Sequence, residues 1–380
     1  MKRFTNQPLR DQAAIAIFGS FKVGNFVASI PLLKGLRMKY PFASIDYYGS
    51  TVTESLEGLL EVFDFCCCWD DSNKTLSDLL LELDRRIDIH QGYDLCINLD
   101  GFNPVTQLLA SSSRAIYVVG DIYSGSRRGL ARLSGCTRRE QLLADPNWNS
   151  KNLALRYSDL LDSGYIGNIW CSMAYVPYNV NYLKLASSSS FFRPFDIIIH
   201  CNASRQAKLW PSTHWIKLLS DPLFKDSSIC LVGTKPSDDS IYNDGHYIEN
   251  LILSESFLNI EDLRGQTSLL DLVALYANCK LSVSVDSGPL HLSIAAGAPT
   301  IAILGNDADG IGASPVNLWL SDAFANLFLT FSSQTCTKCQ DNRFKNDECI
   351  NDAHICQQGL EPNQVLEVVA VLLRQSRISF

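Results

Sequence analysis

An apolar run, Val283 to Val285, passes directly into Asp286-Ser287-Gly288-Pro289, and a small-residue stretch follows as far as Gly297. Proline suits the first helical position and glycine the residue past the last, so the spacing predicts a strand, a tight turn and a helix starting at Pro289. Such a turn aims unpaired backbone N–H groups and the positive helix end at whatever lies beyond the strand. A diphosphate is the guest this chemistry favours. Asp286 and Ser287 are also expected to cap the helix, a task that needs no ligand. His291 falls on the first helical turn, where its ring can donate to a phosphate oxygen or simply pack. A second constellation lies near the carboxyl end, Cys336-x2-Cys339-x9-Cys349-x6-Cys356. Four thiolates at these spacings can surround one tetrahedral ion, zinc or iron, with free or disulfide-linked thiols as the alternative.

The bulk numbers limit what these groups serve. The chain has 380 residues, a formal net charge of -8 and a pI near 5.3, with 46 % hydrophobic and 19 % charged residues. Two ordinary cores are expected, and a general attraction to nucleic acid or anionic lipid is not. The opening basic residues lead into an apolar run broken by Gly19, Ser20 and Lys22, so it reads as a first strand and not a signal peptide. No run approaches the ~18 apolar residues of a membrane span. Nine of the thirteen cysteines are scattered through apolar patterns, including Cys66, Cys67 and Cys68, which suits a reducing compartment. The expectation is a cytoplasmic protein with at most peripheral contact at the inner face of a membrane. Homo-oligomerisation is left open.

The elements that must position the chemistry alternate regularly. Short β-branched runs at 13–18, 44–49, 93–99 and 115–120 are separated by amphipathic stretches such as Ile30 to Lys39 and Thr75 to Ile87. This is the rhythm of a parallel sheet covered by helices on both faces. It restarts with runs at 195–201, 228–233, 281–286 and 300–305, after a polar segment, residues 182–194, in which Ser187 to Ser190 read as a flexible linker. The fold class expected is α/β, with two Rossmann-like doubly wound domains, 1–181 and 195–380, facing a cleft. Ligands in such folds sit at the carboxyl ends of strands.

The segment from Val283 to Asn306 resembles the DSGPxHLAAAxGxPTxALFG signature of glycosyltransferase family 9, the ADP-heptose heptosyltransferases, which have the GT-B fold. Three further stretches follow in the family's order. Residues 15–49 are similar to its opening strand, glycine loop, helix and second strand. Residues 197–215 are similar to the segment ending in K-x-W-P, and residues 263–288 to its approach to the signature. The resemblance implies that Ser204 and Lys208 join Asp286, Ser287, Gly288 and His291 in holding the donor, with Lys208 neutralising the leaving diphosphate. It also assigns adenine and ribose contacts to the loop after Pro236, where Asp238 or Asp239 can hydrogen-bond a ribose. In the first loop the family carries a Gly-Asp pair whose aspartate is the usual general base. This chain has Gly24-Asn25, and an amide cannot take up a proton at neutral pH. Asp100, at the carboxyl end of another strand of the same sheet, is the alternative base, its bland role being a turn residue before Gly101. Asn25 then remains as an orienting group.

What the resemblance implies as function is inverting transfer of heptose from ADP-heptose to a cell-surface acceptor, either a lipopolysaccharide core or a protein such as an autotransporter. The carboxyl-terminal domain would hold the donor and the amino-terminal one the acceptor. Similar cysteine sets occur in some family members, where the metal would brace the loop before the terminal helix. The rivals are a non-catalytic sugar-nucleotide-binding or scaffold protein and a GT-B-like epimerase.

Overall fold

The structure is a computed structural model. It describes residues 1–123, 137–147, 150–186, 192–236, 242–305, 315–332, 334, 336, 338, 349 and 353–378. These fall into two compact units, one built on the first six strands and ending at Leu183, the other running from Lys184. The serines expected to form the linker, 187–190, and the candidate ribose ligands Asp238 and Asp239 lie outside the described residues.

The first unit's sheet joins β1 (Lys2–Arg3), β2 (Ala14–Phe18), β3 (Ser44–Gly49), β4 (Phe65–Cys68), β5 (Leu95–Asn98) and β6 (Tyr117–Val119) in the order β1-β6-β5-β2-β3-β4. Every pairing is parallel. Strand β2 is buried along its whole length, as a continuous apolar run must be when both sheet faces are covered. The helix Val23–Lys39 returns the chain from β2 to β3. The helix Leu76–His90 begins where Thr75 and Asp78 form a reciprocal capping box, and Leu79, Leu83 and Ile87 on one stripe enter the core.

The second sheet joins β7 (Ile197–His200), β8 (Ile229–Leu231), β9 (Ile260–Asp262), β10 (Leu281–Val285), β11 (Thr300–Ile303) and β12 (Leu327–Thr330) in the order β12-β11-β10-β7-β8-β9, again all parallel. Renumbered within the unit this is the doubly wound nucleotide-binding order, which reverses between β7 and β10. In the first sheet the reversal lies between β2 and β5. The core of the second unit gathers Trp210, Trp215, Ile199, Val283 and Ile301 with Leu360, Val365 and Val369, the last two from the terminal helix Pro362–Ile378. Full burial of each such aliphatic side chain stabilises the unit by about 1.5–3 kcal/mol, so that helix belongs to the domain and is no appendage. The eight strand runs expected from sequence all appear, and β1, β4, β9 and β12 are additions.

Candidate active site

Both reversal points open at the carboxyl ends of their strands, and the residues singled out by chemistry collect there. In the second unit β7 and β10 pair side by side, with Ser284 opposite His200, so the loop after His200 and the turn after Val285 start as neighbours. The loop cannot drift, because its apolar residues are sunk into the core. Trp210 and Trp215 are fully buried, pack edge to face at 5.1 Å, and the Trp210 indole N–H donates to the Leu360 carbonyl at 2.9 Å. Between Cys201 and Trp210 the chain forms a short turn, Gln206–Lys208, whose lysine reaches across to the neighbouring strand end.

There Lys208 Nζ lies 2.5 Å from Asp286 Oδ2, with the two side chains 19 % and 7 % exposed. A charge-assisted bond so screened from water holds its geometry better than a surface ion pair does. His291 Nε2 sits 4.0 Å from the other Asp286 oxygen, and the ring meets Trp319 edge to face at 6.4 Å. Burial pushes the His291 imidazole down to about 4, more than the nearby Asp286 carboxylate raises it, with Lys208 adding to the decrease. The ring is therefore neutral at pH 7 and keeps one N–H to donate.

Two expectations about the helix start need correction. Gly288 is the first helical residue and Pro289 the second. Ser287 is the cap residue but makes no capping bond, its hydroxyl donating backward to the Val285 carbonyl at 3.2 Å. Asp286 stands one residue earlier, in the bend between β10 and the helix, and its carboxylate meets Lys208. The cap hydroxyl is thus turned away from the N–H groups of the first turn, which an anion can use. The far end behaves as expected, with Gly297 in the left-handed region at φ 87°. Ser204 is exposed on the lysine loop, and no bond among the described residues ties it to Lys208 or Asp286.

In the first unit Phe18 pairs with Asn98, and the Leu99 N–H donates to the Phe18 carbonyl at 2.9 Å. The loops carrying Asn25 and Asp100 therefore leave adjacent strands. Asn25 lies in the first turn of its helix and donates to the Ser20 hydroxyl at 3.2 Å, an orienting contact within the loop. At Asp100 the backbone does the turn work. Its N–H donates to Asn98 Oδ1 at 3.1 Å, and its carbonyl accepts from Thr106 Oγ1 at 2.9 Å and Asn103 N–H at 3.2 Å. Its half-exposed carboxylate accepts no bond from another described residue. The sequence reading missed what braces these loops. The Trp69 indole N–H donates to the Gly19 carbonyl at 3.1 Å, and Asn98 Nδ2 to the Asp121 carbonyl at 2.7 Å. A β-carbon at Gly19 would meet the Tyr47 hydroxyl at 2.0 Å, so the glycine is needed for that close approach. Phe102, 93 % exposed two residues beyond Asp100, was also passed over. None of these has a local motif to announce it.

Of the four cysteines proposed as metal ligands, Cys336 is buried, Cys349 and Cys356 are half-buried, and Cys339 lies outside the described residues. Among the described residues no helix is long and apolar enough to cross a membrane.

Residues 178–336 match glycosyltransferase family 9 (heptosyltransferase), the stretch holding Lys208, Asp286 and His291. The chain is 26 % identical over 172 residues to lipooligosaccharide heptosyltransferase 2 of Campylobacter jejuni, a stretch that is 45 % of this chain and 49 % of that protein. It thus spans about half the length of that curated relative. Among solved structures it is similar to the Escherichia coli ADP-heptose lipopolysaccharide heptosyltransferase II, with TM-score 0.63 and 19 % identity, covering 96 % of this chain and 99 % of that one. It is similar too to the iron-containing dodecameric glycosyltransferase TibC of enterotoxigenic E. coli, with TM-score 0.58 and 13 % identity over 97 % of this chain and 78 % of that one. At such identities the likeness shows the fold, two Rossmann-like units of the GT-B type.

Proposed function

We propose that this chain is a family 9 inverting glycosyltransferase that moves heptose from ADP-heptose to a hydroxyl of a cell-surface acceptor. The observation that carries the reading is the Lys208–Asp286 pair at the reversal point of the second sheet, beside a helix whose cap residue leaves its N–H groups to a ligand. That is the equipment for a diphosphate. In the reaction the acceptor oxygen bonds to the anomeric carbon as the bond from that carbon to the diphosphate breaks. The electron pair leaves with ADP, whose growing charge Lys208 and the helix N–H groups offset. Asp286 holds the lysine extended until the diphosphate takes over, and neutral His291 donates to a phosphate oxygen without adding charge. Ser204, Ser287 and Gly288 complete the donor contacts. The acceptor proton goes to Asp100, whose carboxylate is not engaged in shaping its own turn, while Asn25 orients the attacking hydroxyl.

The acceptor is a lipopolysaccharide core or a protein, and the work is done in the cytoplasm, with peripheral contact at the inner membrane face allowed and homo-oligomerisation left open. Cys336, Cys339, Cys349 and Cys356 would hold one structural zinc or iron ion, because an all-thiolate set with a buried member suits a soft tetrahedral ion; it would supply no chemistry to the transfer. Domain limits of 1–181 and 195–380, joined by 182–194, are part of the same reading. The second reading, a sugar-nucleotide-binding scaffold, is favoured by Asn25 standing where the family keeps an acid. Incubating the protein with ADP-heptose and either a lipopolysaccharide-core or a protein acceptor, and following ADP release, separates the two. A transferase releases ADP in step with acceptor modification, and a chain that binds ADP-heptose without releasing ADP is the scaffold.

A further inference from the structure

Lys208 rides on a turn of three residues, and a turn so short cannot fix a long side chain by itself. Its internal support is two backbone bonds, Lys208 N–H to the Arg205 carbonyl at 3.0 Å and Leu209 N–H to the Gln206 carbonyl at 2.9 Å. The Ala207 carbonyl points elsewhere. Ala207 is buried, so that oxygen needs a partner from the protein. It accepts from His354 Nε2 at 3.2 Å and, more weakly, from Gln357 Nε2 at 3.5 Å, partners 147 and 150 residues away. The acceptor being a carbonyl, the His354 proton must sit on Nε2. Two more bonds run between the same stretches, Cys349 N–H to Gln206 Oε1 at 3.1 Å and Trp210 Nε1 to the Leu360 carbonyl at 2.9 Å. The lysine turn is therefore clamped on both sides of Lys208 by Cys349, His354, Gln357 and Leu360. His354 itself takes a left-handed backbone, φ 44° and ψ 43°, which a residue with a β-carbon adopts only at a cost and which asparagine tolerates better.

We propose that His354 is a positioning residue for Lys208: by donating to the Ala207 carbonyl it fixes the turn that aims the lysine at Asp286 and at the donor diphosphate. This rests on the donor-site reading above. A contact that fixes a supporting backbone acts on affinity through the group it places, so its loss should be felt only by ligands that reach that group.

The test is calorimetry of the full-length protein with ADP and with adenosine, for wild type, His354→Asn, Gln357→Leu, Lys208→Ala and the Lys208→Ala/His354→Asn double variant, with melting temperatures on each. Asparagine suits the left-handed backbone but is too short to reach Ala207, so the bond is removed with little backbone change. His354→Asn should weaken ADP binding about fivefold, the loss of one net hydrogen bond, leave adenosine binding unchanged, and add nothing in the Lys208→Ala background. Gln357→Leu, removing the longer bond, should give the same pattern at smaller size. Equal weakening of ADP and adenosine, unchanged ADP binding in both His354→Asn and Gln357→Leu, or additive losses in the double variant would overturn the proposal. If Lys208→Ala itself binds ADP as wild type does, the donor-site reading has failed. If it does not and the His354 and Gln357 variants are silent, the positioning role alone has failed.

Discussion

The two sheet reversal points differ in how their chemical groups are held. In the second unit the charged residues are already paired, Lys208 to Asp286 at 2.5 Å, and the loop carrying the lysine is pinned by two indoles in the core. In the first unit Asp100 keeps its carboxylate uncommitted among the described residues, while its backbone is tied down by Asn98, Asn103 and Thr106. A group that must hold a leaving diphosphate benefits from being set in place beforehand, where pre-organised charge is worth most. A group that must take a proton needs an oxygen left unoccupied. The contrast suits a division of labour in which the second unit receives the donor and the first the acceptor.

Replacing the proposed base should give the largest effect. Asp100→Asn is expected to lower the single-turnover rate by roughly 10²–10⁴, with the melting temperature unchanged because the carboxylate supports no described contact. A slow but equally stable enzyme sharpens the contrast. A destabilised but fast one would return Asp100 to a mere turn residue.

On the donor side Lys208→Ala should cut turnover tenfold or more, in line with about 1.5–3 kcal/mol for a charge-assisted bond. Asp286→Ala should cost at least tenfold too, because it frees the lysine that the carboxylate aims. Steady-state kinetics at varied ADP-heptose checks both, and wild-type rates in either would break the donor side of the comparison.

The units should also answer pH in opposite senses. Burial pushes the Glu57 carboxyl of the first unit up to about 7, and its Oε2 has no hydrogen-bond partner among the described residues. The folded state then binds more protons than the unfolded one between the ordinary glutamate value and 7. Stability contributed there is present at low pH and is lost as pH rises through that window, by on the order of 3 kcal/mol. His291 in the second unit works the other way. Its value of about 4 lies below the ordinary 6.5, so the folded state binds fewer protons in between, and stability is lost as pH falls from 6.5 toward 4. Hydrogen exchange resolved by unit at pH 5 and pH 8 should show the first unit better protected at pH 5 and the second at pH 8. Glu57→Gln should flatten the first trend.

A smaller effect on activity is expected at the cysteines. The purified protein should carry about one zinc or iron ion per chain. Cys336→Ser with Cys339→Ser should lose it, lower the melting temperature and reduce turnover less than it reduces stability. Elemental analysis finding no metal in protein prepared without chelators contradicts this.

What the sequence revealed follows the same division. The turn at 286–288 was legible because proline and glycine leave marks at fixed positions, and the lysine loop because Trp210-Pro211 flank it. The precise cap was not, since whether Ser287 bonds forward to the helix or back to Val285 depends on a rotation no residue type dictates. Strand β9, three residues at a sheet edge reading Ile-Glu-Asp, has no apolar pattern to announce it, and β4 hides in a cysteine run. The braces from Trp69 to Gly19 and from His354 to Ala207 join residues 50 and 147 positions apart, and only the folded chain brings them together.

The most direct test of the division between the units is ADP binding by calorimetry to wild type, Lys208→Ala and Asp100→Asn. The account predicts that Lys208→Ala loses at least tenfold in affinity, by about the same charge-assisted bond, while Asp100→Asn binds ADP as wild type does. Unchanged ADP affinity in Lys208→Ala, or a comparable loss in Asp100→Asn, would contradict it.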